Sequence, residues 1–325
     1  MNKRVLVNYV LFDLTNKCNL QCKHCYKTNN IFDDELDPDF CLTVFDDLRK
    51  NNGTGNVVLS GGEPSLYSRL EELVRGLRRR DASIKLNTNG LIIPQFLVEQ
   101  PYNKMRVQVS LDGYSQESYA EIRGIDAFDR VCKNAVLMKD AGLNVSFRTT
   151  ITRNNIYHYT EFVAISENLG IPLIMRPMMN TGAESQKELA NNFEDLLNWK
   201  NEVISKGLIK YIGGEDFFTC TNCPLMCETP YISVMSVTVN GDVFPCSALR
   251  SDYLRLGNFF DSSVEDVIKK FHIVKRRIEK LITCEKCKKC GFRNSYGKGN
   301  CIVFCTFANR DCVLKLINNE AKLDS

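Results

Sequence analysis

Asn56-Val57-Val58-Leu59-Ser60-Gly61-Gly62-Glu63-Pro64 reads as a short apolar strand that breaks at a glycine pair, with a proline suited to opening a helix. Leu66, Leu70, Leu73, Val74 and Leu77 follow at helical spacing, so the unit is strand, turn, helix. The same alternation runs across residues 1–206. Further β-rich runs are Val5–Leu14, Ser83–Asn87, Arg106–Ser110, Asn144–Thr150 and Ile171–Arg176. Between them Phe40, Val44, Phe45 and Leu48 repeat as one helix face, and later so do Phe128, Val131, Ala135, Val136 and Met138. Asp37-Pro38 supplies an N-cap and a first-turn proline for the first of these helices. Six strand–helix repeats predict an α/β fold with a parallel sheet and right-handed crossovers. Eight repeats would close a barrel, so six predict a partial (β/α)6 barrel whose site gathers at the C-terminal strand ends.

The chain has 325 residues, a formal net charge of +3 and 25% charged residues, which indicates neither a nucleic-acid nor a membrane partner. Arg78-Arg79-Arg80 and Lys275-Arg276-Arg277 read as solvated helix faces, with docking of an acidic electron donor as the second reading. No charged-then-apolar leader and no bilayer-length apolar run is present, so a cytoplasmic location is expected. Fifteen cysteines then argue for metal and against a disulfide framework. Ten of them lie between Cys220 and Cys312, where helical periods fade. A boundary near Lys210 is therefore expected, with one domain over 1–210 and a small cysteine-rich α+β domain over 211–325, organised by metal clusters.

Three further cysteines stand in Thr15-Asn16-Lys17-Cys18-Asn19-Leu20-Gln21-Cys22-Lys23-His24-Cys25-Tyr26. Cys18, Cys22 and Cys25 are spaced x3 then x2, and no fourth cysteine follows until Cys41. A four-iron cubane normally takes four thiolates, so three leave one iron open to bind a substrate or cofactor. The competing reading is a zinc knuckle, which wants four ligands in a closed site.

C-x3-C-x2-C followed by an aromatic, Tyr26, resembles the cluster loop of the radical S-adenosylmethionine (radical SAM) enzymes. The resemblance implies that SAM chelates the open iron and that one electron cleaves it to methionine and a 5′-deoxyadenosyl radical, which abstracts a substrate hydrogen. It implies that Gly61, Gly62, Glu63 and Pro64 bind the amino group of SAM, where the residues alone read as a glycine turn. Asn87, Thr88 and Asn89, before Gly90, resemble the family turn that shapes the cofactor pocket. Ser110 and Asp112 fall on a strand-end loop that reaches SAM in similar enzymes, although Asp112-Gly113 is also a plain turn dipeptide. Arg123, before Gly124, matches a recurrent arginine and is expected to pair with the SAM carboxylate through its guanidinium fork. Arg148 and Arg176 either face the cavity or close charge pairs, and His24 is expected to face solvent. Cys41 and Cys132 fall on helix faces and read as core residues.

The tail resembles a SPASM domain, which holds two auxiliary four-iron clusters. Cys227 and Cys246 bracket Gly241 as C-x13-G-x4-C, around a hairpin signal at Asn240-Gly241. Cys287, Cys290, Cys301, Cys305 and Cys312 follow, with an interval of x10 where x5 is usual, and Cys284 offers an alternative start to the pair. By resemblance, one cluster takes Cys227, Cys246, Cys305 and one of Cys220 or Cys223; the other takes Cys287, Cys290, Cys301 and Cys312. A spare thiol could instead donate a hydrogen atom to a substrate radical.

The implied activity is modification of a ribosomally made peptide by crosslinking, thioether formation, oxidation or epimerisation. The rival is dehydrogenation or epimerisation of a small alcohol, sugar or antibiotic precursor. A catalytically silent cluster scaffold is the reading of another class. Ser247 stands where sulfatase-maturing relatives carry an aspartate, which weakens that branch. Only seventeen residues precede Cys18, so a peptide substrate is expected to need a separate leader-peptide-binding protein or little leader binding. A flavodoxin- or ferredoxin-type protein is the expected electron donor.

Overall fold

The structure is a computed structural model, and it describes residues 5–25, 34–178, 186, 188–212, 231–247, 250 and 252–281. Six strands run in parallel: β1 (Leu6–Asp13), β2 (Asn56–Ser60), β3 (Ser83–Thr88), β4 (Met105–Ser110), β5 (Asn144–Ile151) and β6 (Leu173–Pro177). The connecting helices are α1 (Pro38–Asn52), α2 (Leu70–Arg79), α3 (Gln95–Glu99), α4 (Gln116–Arg123), α5 (Phe128–Asp140) and α6 (Tyr159–Leu169). After β6 comes α7 (Phe193–Ser205).

Local chemistry sets the helix ends. Asp37 accepts from the amides of Asp39 and Phe40 to start α1, and Gly53, left-handed at φ 73°, closes it. Pro64 opens only a short 3-10 turn to Leu66, so α2 begins at Leu70, later than the apolar spacing suggests. The Glu63 side chain caps that turn and diverts the chain before the long helix starts. β6 also begins later than expected, at Leu173, because Pro172 has no N–H for the ladder.

The sheet does not stop at six strands. β7 (Tyr231–Val237) lies parallel to β1 on its other side, with Leu6 opposite Tyr231 and Phe12 opposite Val237. Gly241 (φ 78°) then turns the chain into β8 (Asp242–Phe244), and β9 (Gly257–Asn258) follows, both antiparallel. The hairpin read for the tail is thus present but continues the core sheet, in the order β6-β5-β4-β3-β2-β1-β7-β8-β9. The result is an open sheet, a partial TIM-like barrel, with α8 (Val264–Leu281) after the last strand.

Alternation along the strands separates two faces. Val57, Leu59, Ile84, Leu86, Val107 and Val109 join the helix residues Phe45, Leu48, Leu73 and Leu77 in one buried core. Lys85, Asn87, Gln108, Ser110, Ser146 and Arg148 take the alternate positions, on the inner face of the partial barrel. Among the described residues no helix is long and apolar enough to cross a membrane.

Candidate active site

Beyond Asp13, at the C-terminal end of β1, the chain from Leu14 to Cys25 forms the cysteine loop. Cys18, Cys22 and Cys25 are half-buried and carry no disulfide. Two sets of contacts brace this loop.

The first comes from the glycine run. The amides of Gly62 and Glu63 donate to the carbonyls of Thr15 and Lys17, each at 2.7 Å. Gly61 sits at φ 139°, where a Cβ would lie 2.7 Å from the Thr15 oxygen, and a Cβ on Gly62 would collide with the Lys17 carbonyl. The pair is glycine because the loop backbone passes directly over it. Glu63 is buried, and its carboxylate accepts from the Ser65 amide (3.0 Å), the Thr88 hydroxyl (2.7 Å) and the Asn89 amide (2.7 Å). Asn89 Nδ2 donates to Asn19 Oδ1 at 2.7 Å, so the turn after β3 also grips the cysteine loop. Pro64 is buried beneath this turn.

The second brace is charged. Asp112, 1% exposed, takes Arg123 Nη2 and His24 Nε2 (2.9 Å) on Oδ2, and the Thr150 amide (2.6 Å) on Oδ1. Arg123 Nη1 reaches Cys22 Sγ at 3.5 Å, and the Lys23 amide donates to the Ile122 carbonyl at 2.9 Å. Gln186 Nε2 donates to the His24 carbonyl at 2.9 Å. One expectation is corrected here. His24 does not face solvent, because its ring is drawn in against Asp112 and its Nδ1 is buried without a hydrogen-bond partner. Arg123 gives one Nη to the buried Asp112 carboxylate and the other to Cys22, while its buried Nε has no hydrogen-bond partner.

Burial by itself would raise the Asp112 carboxyl, but the Arg123 and His24 charges outweigh it and hold it well below the usual carboxylate range. Burial pushes the Cys22 thiol up to about 11, against the opposing pull of Arg123, and raises Cys18 as well. Such thiols become thiolates when a metal supplies the missing positive charge. Among the described residues no three His, Cys, Asp or Glu side chains converge as ligands of a single ion.

Ser110, at the end of β4, is the register partner of Arg148 on β5, so a hydroxyl and a guanidinium stand side by side on the inner face. Asn87 lies on the same face, and its Oδ1 is buried without a partner. In the tail, Cys246 is half-buried just after β8 and packs against the core. Arg250 pairs with Asp13 at the end of β1 and donates to Ser236 Oγ at 3.0 Å. Tyr26 and Cys220, Cys223, Cys227, Cys284, Cys287, Cys290, Cys301, Cys305 and Cys312 lie outside the described residues. Cys41 is buried in α1, and Cys132 is half-buried in α5. The His24–Asp112, Asn19–Asn89 and Asp13–Arg250 pairs have no local sequence signal, since each joins segments at least seventy residues apart.

The arginine run at the end of α2 lies beside the start of β3, whereas the cysteine loop follows the end of β1. In a parallel sheet these are opposite ends, about 20 Å apart for six residues. Arg80 pairs with Asp46 at 2.8 Å, and Arg78 sits over the Tyr102 ring, as expected of a solvated helix face.

Residues 12–162 match the Radical SAM superfamily, and residues 227–291 match SPASM, an iron–sulfur cluster-binding domain. A probable GTP 3′,8-cyclase of Saccharolobus islandicus (strain M.14.25 / Kamchatka #1) is 33% identical over 163 residues, or 49% of this chain and 52% of the relative. An AdoMet-dependent heme synthase of Oleidesulfovibrio alaskensis is 28% identical over 200 residues, or 58% of this chain and 51% of the relative. The chain thus spans about half the length of these curated relatives. Among solved structures, SuiB of Streptococcus suis bound to S-adenosylmethionine has a TM-score of 0.75 at 19% identity, covering 92% of this chain and 74% of SuiB. SuiB bound to its precursor peptide SuiA has a TM-score of 0.71 at 18% identity, covering 92% and 72%. The protein anSMEcpe, with bound AdoMet and the Cp18Cys peptide, has a TM-score of 0.68 at 19% identity, covering 96% and 95%. At these identities the likeness is one of fold.

Proposed function

We propose, from the premise that this chain is a radical SAM protein with a SPASM domain, that it modifies a peptide through hydrogen abstraction. The observation that carries the initiation step is the placement of Cys18, Cys22 and Cys25 on one doubly braced loop at the C-terminal ends of the strands. Cys18, Cys22 and Cys25 would hold a four-iron cluster with an open iron, which, once reduced by an external one-electron donor, would supply the electron for splitting SAM into methionine and the 5′-deoxyadenosyl radical that takes a substrate hydrogen atom. The protein's part is to hold three thiols and to exclude the side reactions of a mobile loop. Glu63 is occupied inside the fold, so the amino group of SAM falls to the backbone carbonyls of the Gly61–Pro64 run. Asp112 and Cys22 take the two Nη groups of Arg123, so its buried Nε and the Ser110 hydroxyl at the end of β4 would remain to meet the SAM carboxylate. Cys246 would supply one ligand of a SPASM cluster, and such clusters would accept the electron left on the product radical.

The peptide reading is supported by fold likeness to two peptide-bound proteins over most of this chain. The rival, dehydrogenation or epimerisation of a small molecule, draws support from the curated relatives only in that their printed names concern the small molecules GTP and heme. Electron delivery would use a surface near the cysteine loop and not the α2 arginines at the far end of the sheet.

The test is anaerobic reconstitution of the parent beside a Cys18→Ala/Cys22→Ala/Cys25→Ala variant. About twelve irons in the parent and about eight in the variant are expected, with 5′-deoxyadenosine formed from SAM and dithionite only by the parent. Binding of SAM without cleavage would leave the silent scaffold as the better reading. Mass change in a short peptide encoded beside the gene, with none in small alcohols or sugars, would separate the two enzyme readings.

A further inference from the structure

The peptide group that leads into the third cysteine is held at both of its polar atoms. Cys25 donates its amide to the Cys22 carbonyl at 3.0 Å, and the His24 carbonyl accepts from Gln186 Nε2 at 2.9 Å. The first bond lies inside the cysteine loop. The second comes from a residue 162 positions away, beyond the end of β6. Gln186 is 1% exposed, so its carboxamide is withdrawn from solvent.

The stretch that carries Gln186 is itself anchored to the strand ends. The Gln186 backbone carbonyl accepts from the Leu189 amide at 3.1 Å, and the Leu189 carbonyl accepts from the Arg153 amide at 3.0 Å. Asn191 Nδ2 donates to the carbonyl of Ile151, the last residue of β5, at 2.9 Å. Leu189 and Ala190 pack with Met178, just past β6, and with Ile122 near the end of α4, in an apolar cluster separate from the main core. The Ile122 carbonyl in turn accepts from the Lys23 amide at 2.9 Å. The ends of β5, β6 and α4 thus fix the point from which Gln186 reaches the cysteine loop.

The residue type suits the task. A carbonyl needs a donor, and a buried one left unmet carries the cost of its lost hydration. A lysine would bury a charge there, and a glutamate would set acceptor against acceptor. Glutamine gives a neutral donor. Partners one step behind a metal ligand fix its orientation, and losing one typically costs about 10–100-fold in metal affinity or activity.

We propose that Gln186 is a positioning residue for the three-cysteine site: its bond to the His24 carbonyl sets the stance of Cys25, and with it how firmly the third thiolate holds its iron. Arg123 serves Cys22, and the glycine run serves the residues on either side of Cys18, so Gln186 gives the Cys25 end its own support. This role rests on the cluster reading proposed above.

The experiment reconstitutes the full chain anaerobically as parent, Gln186→Met and Gln186→Glu, and follows transfer of iron to an excess of a ferrous chelator. The loop's share, about four irons, is identified by its absence from the Cys18→Ala/Cys22→Ala/Cys25→Ala variant. Gln186→Met, of similar length but without a donor, is expected to release that share about tenfold faster or more, with the tail's share leaving at the parent's rate. Gln186→Glu keeps the shape and loses the donor, so it should release the loop's iron at least as fast as Gln186→Met. The electron paramagnetic resonance spectrum of each dithionite-reduced variant should also respond to added SAM differently from the parent's. Parent-like release in Gln186→Met, or an unchanged spectral response to SAM, would overturn the proposal. So would a Gln186→Glu that behaves as the parent, which would make the residue a space-filler. Faster release of both shares would overturn it too, because the residue would then be a general prop of the fold. Should neither variant fold, Asn191→Ala, which frees the same stretch from Ile151, should speed the loop's release several-fold, and no change there would sink the assignment. A parent that never gains the loop's iron fails the cluster reading itself. A parent that holds it beside parent-like variants fails only the role of Gln186.

Discussion

The two braces of the cysteine loop differ in kind. One has no ion pair among the described residues: Gly61, Gly62, the buried carboxylate of Glu63, Thr88 and Asn89 hold Thr15, Lys17 and Asn19 through short hydrogen bonds, most of them to backbone. The other is ionic: a fully buried Asp112 binds Arg123 and His24, and Arg123 touches Cys22. A network without an ion pair loses strength one bond at a time, at about 1 kcal/mol per ordinary bond and about 1.5–3 kcal/mol for a bond to a carboxylate. A buried charge set fails as a unit, because removing one member strands the others. The loop is therefore held by a graded grip on one side and an all-or-none grip on the other.

The largest expected effect follows from the ionic side. Asp112→Ala leaves Arg123 buried without its counter-charge and should cost about 3–5 kcal/mol in urea unfolding; a loss below about 1 kcal/mol would erase the distinction. The same carboxyl should set an acid limit. Its folded pKa lies below the ordinary value of about 3.9, so its contribution is complete above that pH and fades as pH falls through the folded value. The parent should thus lose stability on acidification more steeply than Asp112→Asn.

Next comes Gly62→Ala, whose methyl meets the Lys17 carbonyl and must push the cysteine loop aside. We expect a cost of about 2–3 kcal/mol and loss of about four irons on reconstitution, with the tail's iron retained. Full iron loading in that variant would show the loop to be more pliable than the close packing implies. Glu63→Gln keeps the shape but turns an amide toward the Asn89 or Ser65 N–H, and should cost about 1–2 kcal/mol by the same unfolding measurement. The smallest effect belongs to His24→Gln, at about 0.5–1.5 kcal/mol, because Arg123 still satisfies Asp112. A penalty for His24→Gln rivalling that of Asp112→Ala would make histidine the keystone of the ionic side.

The brace from the glycine run is legible in outline in the sequence and the ionic one is not. Gly61-Gly62-Glu63-Pro64 stands out because it follows an unmistakable apolar strand. The bonds that its carboxylate accepts from Thr88 and Asn89 have no such signal, because they form only once β3 lies beside β2. Asp112 and Arg123 were both picked out from motifs, but their mutual pairing depends on α4 returning over the strand ends, which no spacing encodes. His24 was misjudged for the same reason: the carboxylate that draws it inward is 88 residues away in the chain. The strands were the most readable part, since Asn56–Ser60 and its neighbours are bounded by turns and run apolar between them. The pairing of β7 with β1 was not readable, because a parallel partner can lie anywhere in the chain that the crossover allows.

That pairing has a mechanical consequence. In a sheet of six strands β1 would be an outer strand, free to fray on one side. With β2 on one flank and β7 on the other, it becomes an interior strand, and Asp13 at its end is further tied to Arg250. The cysteine loop is launched from this strand. Its root therefore opens only when the whole sheet opens, and the amides of Val7 to Phe12 should exchange with solvent at the rate of global unfolding, while those of β6 at the sheet margin exchange sooner. The three-cysteine loop is thus rooted in a strand that is paired on both sides.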